Sequence, residues 1–201
     1  MKLSRKITAS AFAIGLSTAV AVPALAATIN GTPGGDHLEG TPQAELIFAM
    51  GGDDRVWSFG GADTVRGGPG HDRLDLGKGD DHAHAWRGND TVFGGPGNDY
   101  IWDGGGERGN NSLWGGPGAD SIEDGSGTDT IYGGGGPDLI LLEDGPDRVS
   151  AGDGDDVIEV RNPDRTERDV IRCGRGSDRV TYRHPRDGLD KLVGCEQVTR
   201  M

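Results

Sequence analysis

A nine-residue period runs from Gly31 to Glu159 and limits what this chain can fold into. Its fullest copies read glycine-glycine-x-glycine-x-aspartate-x-aliphatic-x, as in GGPGHDRLD from Gly67 and GGPGNDYIW from Gly94. Aligned on the acid at position 6, fourteen such nonads cover this range, with residues 103–105 (DGG) as a three-residue insertion. Because glycine and proline recur faster than a helix can nucleate and propagate, the period excludes helix.

Position 8 of the nonad is apolar in all fourteen copies, and its neighbours at positions 7 and 9 are largely polar or aromatic. This pattern predicts a three-residue strand with one side chain turned inward and two outward. Position 4 is glycine in every copy except one, where Gln43 stands, which indicates a backbone with positive φ. We therefore expect an all-β fold: a parallel β-roll, a right-handed β-helix-like solenoid of nonapeptide repeats with two nonads per coil.

Two nonads per coil stack alternate position-6 residues above one another at opposite edges of the roll. The even column contains Glu45, Asp63, Asp81, Asp99, Asp120, Asp138 and Asp156, and the odd column contains Asp36, Asp54, Asp72, Asp90, Asn111, Asp129 and Asp147. Carboxylates stacked about 5 Å apart repel one another strongly unless a cation lies between them. Ca²⁺ accepts six to eight hard oxygen ligands in flexible geometry, whereas Mg²⁺ demands a tight octahedron. The stacking therefore predicts several bound calcium ions.

The amino-terminal segment has the features of a secretory signal. Lys2, Arg5 and Lys6 precede a mostly apolar run, and Ala24-Leu25-Ala26 offers small residues for cleavage. We predict that residues 1–26 are a signal peptide and that the mature protein is secreted to the extracellular medium. The apolar run is too short for a comfortable membrane span, and nothing later is apolar enough for one.

Charge divides the remaining chain into two regions. Residues 27–159, the predicted roll, contain 26 acids and 7 bases, and residues 160–201 contain 7 acids and 10 bases. The acidic region repels nucleic acid and anionic membranes, so neither is an expected partner. Its many glycines and few large apolar groups predict a chain that burial alone does not hold folded.

Residues 160–201 retain the acid and the aliphatic residue but lose most of the glycines. The retained copies begin at Asp169, Asp178, Asp187 and Glu196, with Leu189 as the aliphatic residue of the third. We expect further coils without calcium that cap the open end of the core. The only two cysteines, Cys173 and Cys195, predict one disulfide in an exported chain. A metal or catalytic pair is the alternative, although no histidine or third thiol accompanies them at ligand spacing.

These motifs resemble the RTX, or hemolysin-type, calcium-binding repeats. The resemblance implies a parallel β-roll in which position-6 acids and backbone carbonyls of the turns bind calcium. The Gln43–Glu45 turn lacks the position-4 glycine and the Asn111 turn lacks the acid, so we expect calcium to be absent or loose there. Carried over to this chain, the metal ligands are Asp36, Asp54, Asp63, Asp72, Asp81, Asp90, Asp99, Asp120, Asp129, Asp138, Asp147 and Asp156.

Three functions fit the sequence. The first is a secreted calcium-binding protein without catalytic activity that folds when calcium arrives. The second is a calcium-scaffolded module that binds a glycan or protein through exposed aromatics, of which Phe93, Trp114 and Tyr132 are spaced to stack on one sheet. Such a row is also explained by cross-strand stacking alone. The third is a polysaccharide-modifying β-helical enzyme, although no Gly-x-Ser-x-Gly or His-Glu-x-x-His motif is present.

Overall fold

The computed structural model describes residues 6–8, 26–104, 109–161, 168–183 and 190–200. Within these ranges the chain forms twenty short strands and no helix, and therefore no helix long and apolar enough to cross a membrane. Every pairing between strands is parallel, and strands alternate between two ten-stranded sheets. The predicted all-β solenoid of two nonads per coil is confirmed.

Sheet A contains the odd-numbered strands and sheet B the even-numbered ones. Sheet A consists of β1 (Lys6–Thr8), β3 (His37–Glu39), β5 (Arg55–Trp57), β7 (Arg73–Asp75), β9 (Thr91–Phe93), β11 (Ser112–Pro117), β13 (Thr130–Gly135), β15 (Arg148–Asp153), β17 (Val170–Arg175) and β19 (Lys191–Val193). Sheet B consists of β2 (Ala27–Asn30), β4 (Glu45–Phe48), β6 (Thr64–Arg66), β8 (His82–His84), β10 (Tyr100–Trp102), β12 (Ser121–Glu123), β14 (Leu139–Leu142), β16 (Val157–Val160), β18 (Arg179–Tyr182) and β20 (Gln197–Arg200).

The core lies between the two sheets and is built from the position-8 residues. Each pairs in register with the position-8 residue one coil on, as Leu74 does with Val92 in sheet A and Ile101 with Ile122 in sheet B. All fourteen are buried, with at most 1% of their surface exposed. The predicted inward position is thus correct throughout the repeat.

A second inward position was not expected. The position-1 residue that follows the strand is also buried in most of the described nonads, as Leu76, Ala85 and Ala151 are. Strands β11, β13, β15 and β17 continue through this residue and are six residues long, so the predicted three-residue strand is too short for them. Where position 1 is not glycine, the nonad therefore turns a second side chain inward.

Both ends of the solenoid add short strands to the same sheets. Lys6–Thr8, within the predicted signal peptide, pairs with β3, and its cleavage remains a prediction. At the other end, sheets A and B continue without a break through β17 and β18 into the predicted cap. Cys173 and Cys195 form the predicted disulfide across this segment.

One register in the cap differs from the prediction. Asp187 and Leu189 lie outside the described residues, and Leu192 of β19 is the residue that pairs with Ile171 of β17. The expectation that the Asp187 copy supplies this strand is wrong: the strand lies three residues later. Both copies read acid-x-leucine, but the earlier one has glycine between them, which weakens a strand.

Candidate metal centre

The position-6 residues form two continuous columns, as predicted. In each column the backbone N–H of one acid donates to Oδ1 of the acid one coil on. Asp54 donates to Asp72 at 2.9 Å in the odd column, and Asp81 donates to Asp99 at 2.9 Å in the even column. The three-residue insertion does not interrupt this pattern, because Asp99 still donates to Asp120 at 2.8 Å. One carboxylate oxygen of each acid is thereby fixed.

In ten of these aspartates the other carboxylate oxygen, Oδ2, is buried and accepts no hydrogen bond. A buried ionised oxygen without a partner is costly, so each of these atoms needs a proton or a cation. The predicted ligands in this state are Asp54, Asp63, Asp72, Asp81, Asp90, Asp99, Asp120, Asp129, Asp138 and Asp156.

Burial raises the pKa of most aspartates in the two columns. Loss of solvent is the main cause, the backbone hydrogen bond to Oδ1 opposes it, and neighbouring carboxylates add to it at several positions. The pKa rises from 3.8 to about 7 for Asp54, Asp63, Asp90, Asp99 and Asp138, and to about 6 for Asp72, Asp81, Asp120 and Asp129. Without a cation, the folded columns therefore hold protons near neutral pH.

The turns approach one another too closely for side chains at position 4. Gly70 has φ 152°, and a Cβ there would collide with the carbonyl oxygen of Gly52 in the preceding coil. Most position-4 glycines share a positive φ, which confirms the prediction. Position 2 shares this conformation, as at Gly95 with φ 103°. The turn backbones of successive coils are thus held in contact beside the acids.

The first two turns differ from the rest. Oδ2 of Asp36 accepts the N–H of Thr32 at 2.5 Å, and Oε2 of Glu45 accepts that of Thr41 at 3.0 Å. These carboxylates are bonded within their own turns. Asn111 occupies its place in the odd column and donates its N–H to Asp129 at 2.6 Å, but it contributes no carboxylate. The weak calcium binding expected at Glu45 and Asn111 stays a prediction.

Four buried aspartates are not among the predicted ligands, and Asp169, which accepts the backbone N–H of Asp147 at 2.9 Å, is one of them. Asp178, in the predicted calcium-free cap, has its Oδ2 buried without a hydrogen bond, like the acids of the roll. Asp124 stands at the inward position 1, and Asp103, the first residue of the insertion, takes the structural place of position 1 directly after β10; neither has any exposed surface. The acid-x-aliphatic pattern was a usable signal for Asp178. No period identifies Asp103 or Asp124, because position 1 varies among glycine, alanine, serine, leucine and aspartate.

The donor set suits a hard divalent cation. It offers carboxylate oxygens at closely spaced levels, with backbone carbonyls of the contacting turns beside them and no thiol or imidazole among the position-6 residues. Ca²⁺ selects such oxygen ligands. Bound calcium supplies the positive charge that the buried oxygens lack.

The two parallel sheets and the two columns of buried position-6 acids together define a cation-binding β-solenoid. The family model for the RTX calcium-binding nonapeptide repeat (four copies) matches the chain repeatedly, at residues 30–65, 39–74, 57–92, 66–101, 87–107, 105–140 and 141–160. These matches cover well over half of the chain, so it belongs to the RTX calcium-binding repeat family, and its repeats are calcium-binding repeats. No curated protein matches it closely.

The predicted aromatic stack is present on sheet A. The Trp114 ring lies 4.6 Å from that of Phe93 and 5.3 Å from that of Tyr132, with ring planes 11° and 10° apart. The guanidinium of Arg73 lies 4.3 Å from the Phe93 ring centre. These rings cover one another's faces, and only the far face of Tyr132, beside Ser150 in register, lies beyond the stack. The stack stabilises adjacent strands more than it offers a flat binding platform.

A cleft at the odd edge is the more open apolar surface. Met50 and Trp86 occupy position 2 with φ 80° and 76°, although bulky side chains rarely adopt positive φ. They are 46% and 44% exposed, and Gly68 takes the same position in the coil between them. The resulting cleft has a volume of about 260 Å³ and is lined by Phe48, Met50, Arg66, Gly67, Gly68, Pro69 and Trp86.

Proposed function

We propose that this protein is a secreted calcium-binding repeat protein without catalytic activity, unwound in the absence of calcium and wound into the roll when calcium binds. The observation that carries the proposal is the set of ten aspartates in the two buried columns whose Oδ2 atoms accept no hydrogen bond. Such columns are stable only when protonated or bound to cations. Metal binding and folding are then one process, and the free energy of binding stabilises the fold.

The proposed ligands are the position-6 aspartates named from the sequence. Those with an unbonded Oδ2 hold the ions most firmly, while Asp36 and Glu45 contribute less because their own turns already bond them. In the wound roll, the backbone N–H that donates to Oδ1 fixes the carboxylate orientation and leaves Oδ2 for the ion. The tightly stacked turns supply carbonyl oxygens as further ligands.

Export and capping follow from the same proposal. Residues 1–26 direct secretion, and an unwound polyanion stays competent for export where calcium is scarce. Residues 160–201 close the carboxyl end of the core, where Cys173 is buried and bonded to Cys195. A disulfide persists in oxidising compartments, which supports an extracellular location.

A calcium titration tests this function. Far-ultraviolet circular dichroism of chelator-treated protein should change from a disordered to a β spectrum as calcium rises, and magnesium should be a poor substitute. Asp99→Asn removes one buried ligand and should weaken binding. Asp75→Asn removes an equal charge from the outward position 9 and should not. A spectrum that is unchanged up to millimolar calcium would refute the proposal.

A second candidate function is glycan binding, favoured by the cleft between Met50 and Trp86. Two large apolar residues kept exposed at a backbone conformation that favours glycine suggest a role beyond stability. Calcium-loaded protein should bind a glycan array, and Trp86→Ala should abolish binding while Trp114→Ala, within the stack, should preserve it. The reverse result would assign binding to the stack.

The enzyme alternative is not favoured by this cleft. A polysaccharide-modifying site would place a basic residue beside an acid, and the described lining includes Arg66 but no acid. Lack of turnover on uronate polymers by the calcium-loaded protein would agree with a non-catalytic role, and turnover would contradict it.

A further inference from the structure

Asp124 departs from the repeat in a way that the calcium-binding motif does not explain. It occupies position 1 of its nonad, where full copies have glycine, and its side chain has no exposed surface. This position adjoins the acid of the same turn: a Cβ placed on Gly67, the position-1 residue of another odd nonad, would lie 2.5 Å from Oδ2 of Asp72. An aspartate at position 1 therefore brings a third carboxylate to the odd column.

The three carboxylates meet inside the fold. One oxygen each of Asp124, Asp129 and Asp147 lies within 4.8 Å of the others, and all three residues are buried. Among the described residues, no other three histidine, cysteine, aspartate or glutamate side chains converge in this way. The convergence uses two stacked turns and one residue outside the motif.

Only one of the two carboxylate oxygens of Asp124 accepts a hydrogen bond. Its Oδ1 accepts the backbone N–H of Glu143 at 2.7 Å, which orients the carboxylate. Its Oδ2, like that of Asp129, is buried and accepts no hydrogen bond. The guanidinium of the half-buried Arg161 contacts two other carboxylates, Glu143 at 3.4 Å and Glu123 at 3.7 Å. Asp124 therefore brings a buried carboxylate with one unbonded oxygen into a cluster in which one oxygen of each of three carboxylates lies within 4.8 Å of the others.

We propose that Asp124, Asp129 and Asp147 form a three-carboxylate calcium site that binds more tightly than the other inter-turn sites, with Asp124 as a ligand outside the repeat motif. This inference rests on the proposed calcium-binding function. The affinity of calcium sites rises with the number of charged ligands and with rigidity. Here the Glu143 N–H fixes the added ligand, and burial excludes competing water.

The experiment measures binding to the full-length protein by equilibrium dialysis with labelled calcium. Wild type should show one ion bound at least tenfold more tightly than the rest. Asp124→Asn and Asp124→Gly should each remove that tight step while the weaker steps and the spectrum at saturating calcium persist. The glycine variant restores the residue of the full motif, so its coil has close counterparts elsewhere in the chain.

Asp103→Asn is the matched control, because Asp103 takes the structural place of position 1, has no exposed surface, and precedes a turn that carries Asn111 instead of an acid. It should leave the tight step unchanged. An equal loss in this control would overturn the inference, since any buried position-1 charge would then have the same effect. If the wild-type protein binds all its calcium ions with one affinity, the inference is wrong whatever the variants show. Absence of all calcium binding would instead refute the proposed function.

Discussion

Lowering the pH should wind the metal-free chain, because protons can replace calcium on the columns. In the wound state, burial raises the pKa of nine aspartates from 3.8 to about 6 or 7. Between these values the wound chain holds protons that the unwound chain has released. Stability of the metal-free roll is therefore greatest below the unfolded pKa and is lost as pH rises towards 7.

The free energy linked to protonation of these aspartates decides whether the metal-free roll stays folded at neutral pH. For Asp90, whose pKa rises to about 7, the full difference corresponds to about 4 kcal/mol. Solvent screening reduces this free-energy difference, and we use about 2 kcal/mol for each group. A few such groups together are already comparable with the 5–15 kcal/mol that typically stabilises a whole domain. Without calcium, the roll should be unwound above neutral pH.

Circular dichroism and limited proteolysis of chelator-treated protein from about pH 8 to about pH 4.5 measure this transition. Loss of the disordered spectrum and gain of protease resistance are expected as the pH falls. Calcium-saturated protein is the reference and should remain wound across the upper part of this range. Asp90→Asn should make the dependence shallower, and Asp75→Asn should not. A chelated chain that is compact and protease-resistant at about pH 8 would refute the reasoning.

Three further predictions concern stability in saturating calcium, measured by urea unfolding. Ile122→Ala leaves a cavity between adjacent coils and should cost about 2–5 kcal/mol, and a loss below about 1 kcal/mol would mean that the core relaxes around it. Replacing Cys173 and Cys195 together with serine should cost about 3 kcal/mol, with the spectrum of the roll retained, and no change would show that the disulfide does not constrain the unfolded chain. Trp86→Gly removes a bulky side chain from positive φ and should raise stability by about 1 kcal/mol; a decrease would show that Trp86 contributes packing that outweighs its strain.

Much of the fold was predictable because each physical requirement recurs at one position of the nonad. A buried aliphatic at position 8 and a glycine at position 4 leave few alternatives, and the eighteen-residue coil then determines both columns. The same spacing of two nonads per coil correctly predicted that Phe93, Trp114 and Tyr132 stack on one sheet. The disulfide followed from there being only two cysteines.

What sequence reasoning missed lies where a requirement admits several residue types. Position 1 needs only a side chain that fits beside a carboxylate, so no hydrophobic signal marked Leu76 as core or Asp124 as buried. Positive φ at position 2 was hidden because Met50 and Trp86 stand where glycine is usual. In the cap, two overlapping acid-x-leucine patterns competed, and only pairing with Ile171 distinguishes them.

The eighteen-residue register also determines how such a chain can change its length in evolution. A coil touches mainly the coils before and after it, so removing two consecutive nonads returns every later residue to the same sheet and column. Deleting a single nonad between Phe93 and Trp114 would move all downstream strands to the opposite sheet and separate these two rings. The chain can therefore gain or lose whole coils without changing the register of the remaining ones. Gain or loss of a single nonad disrupts the contacts between coils wherever specific side chains pack against each other.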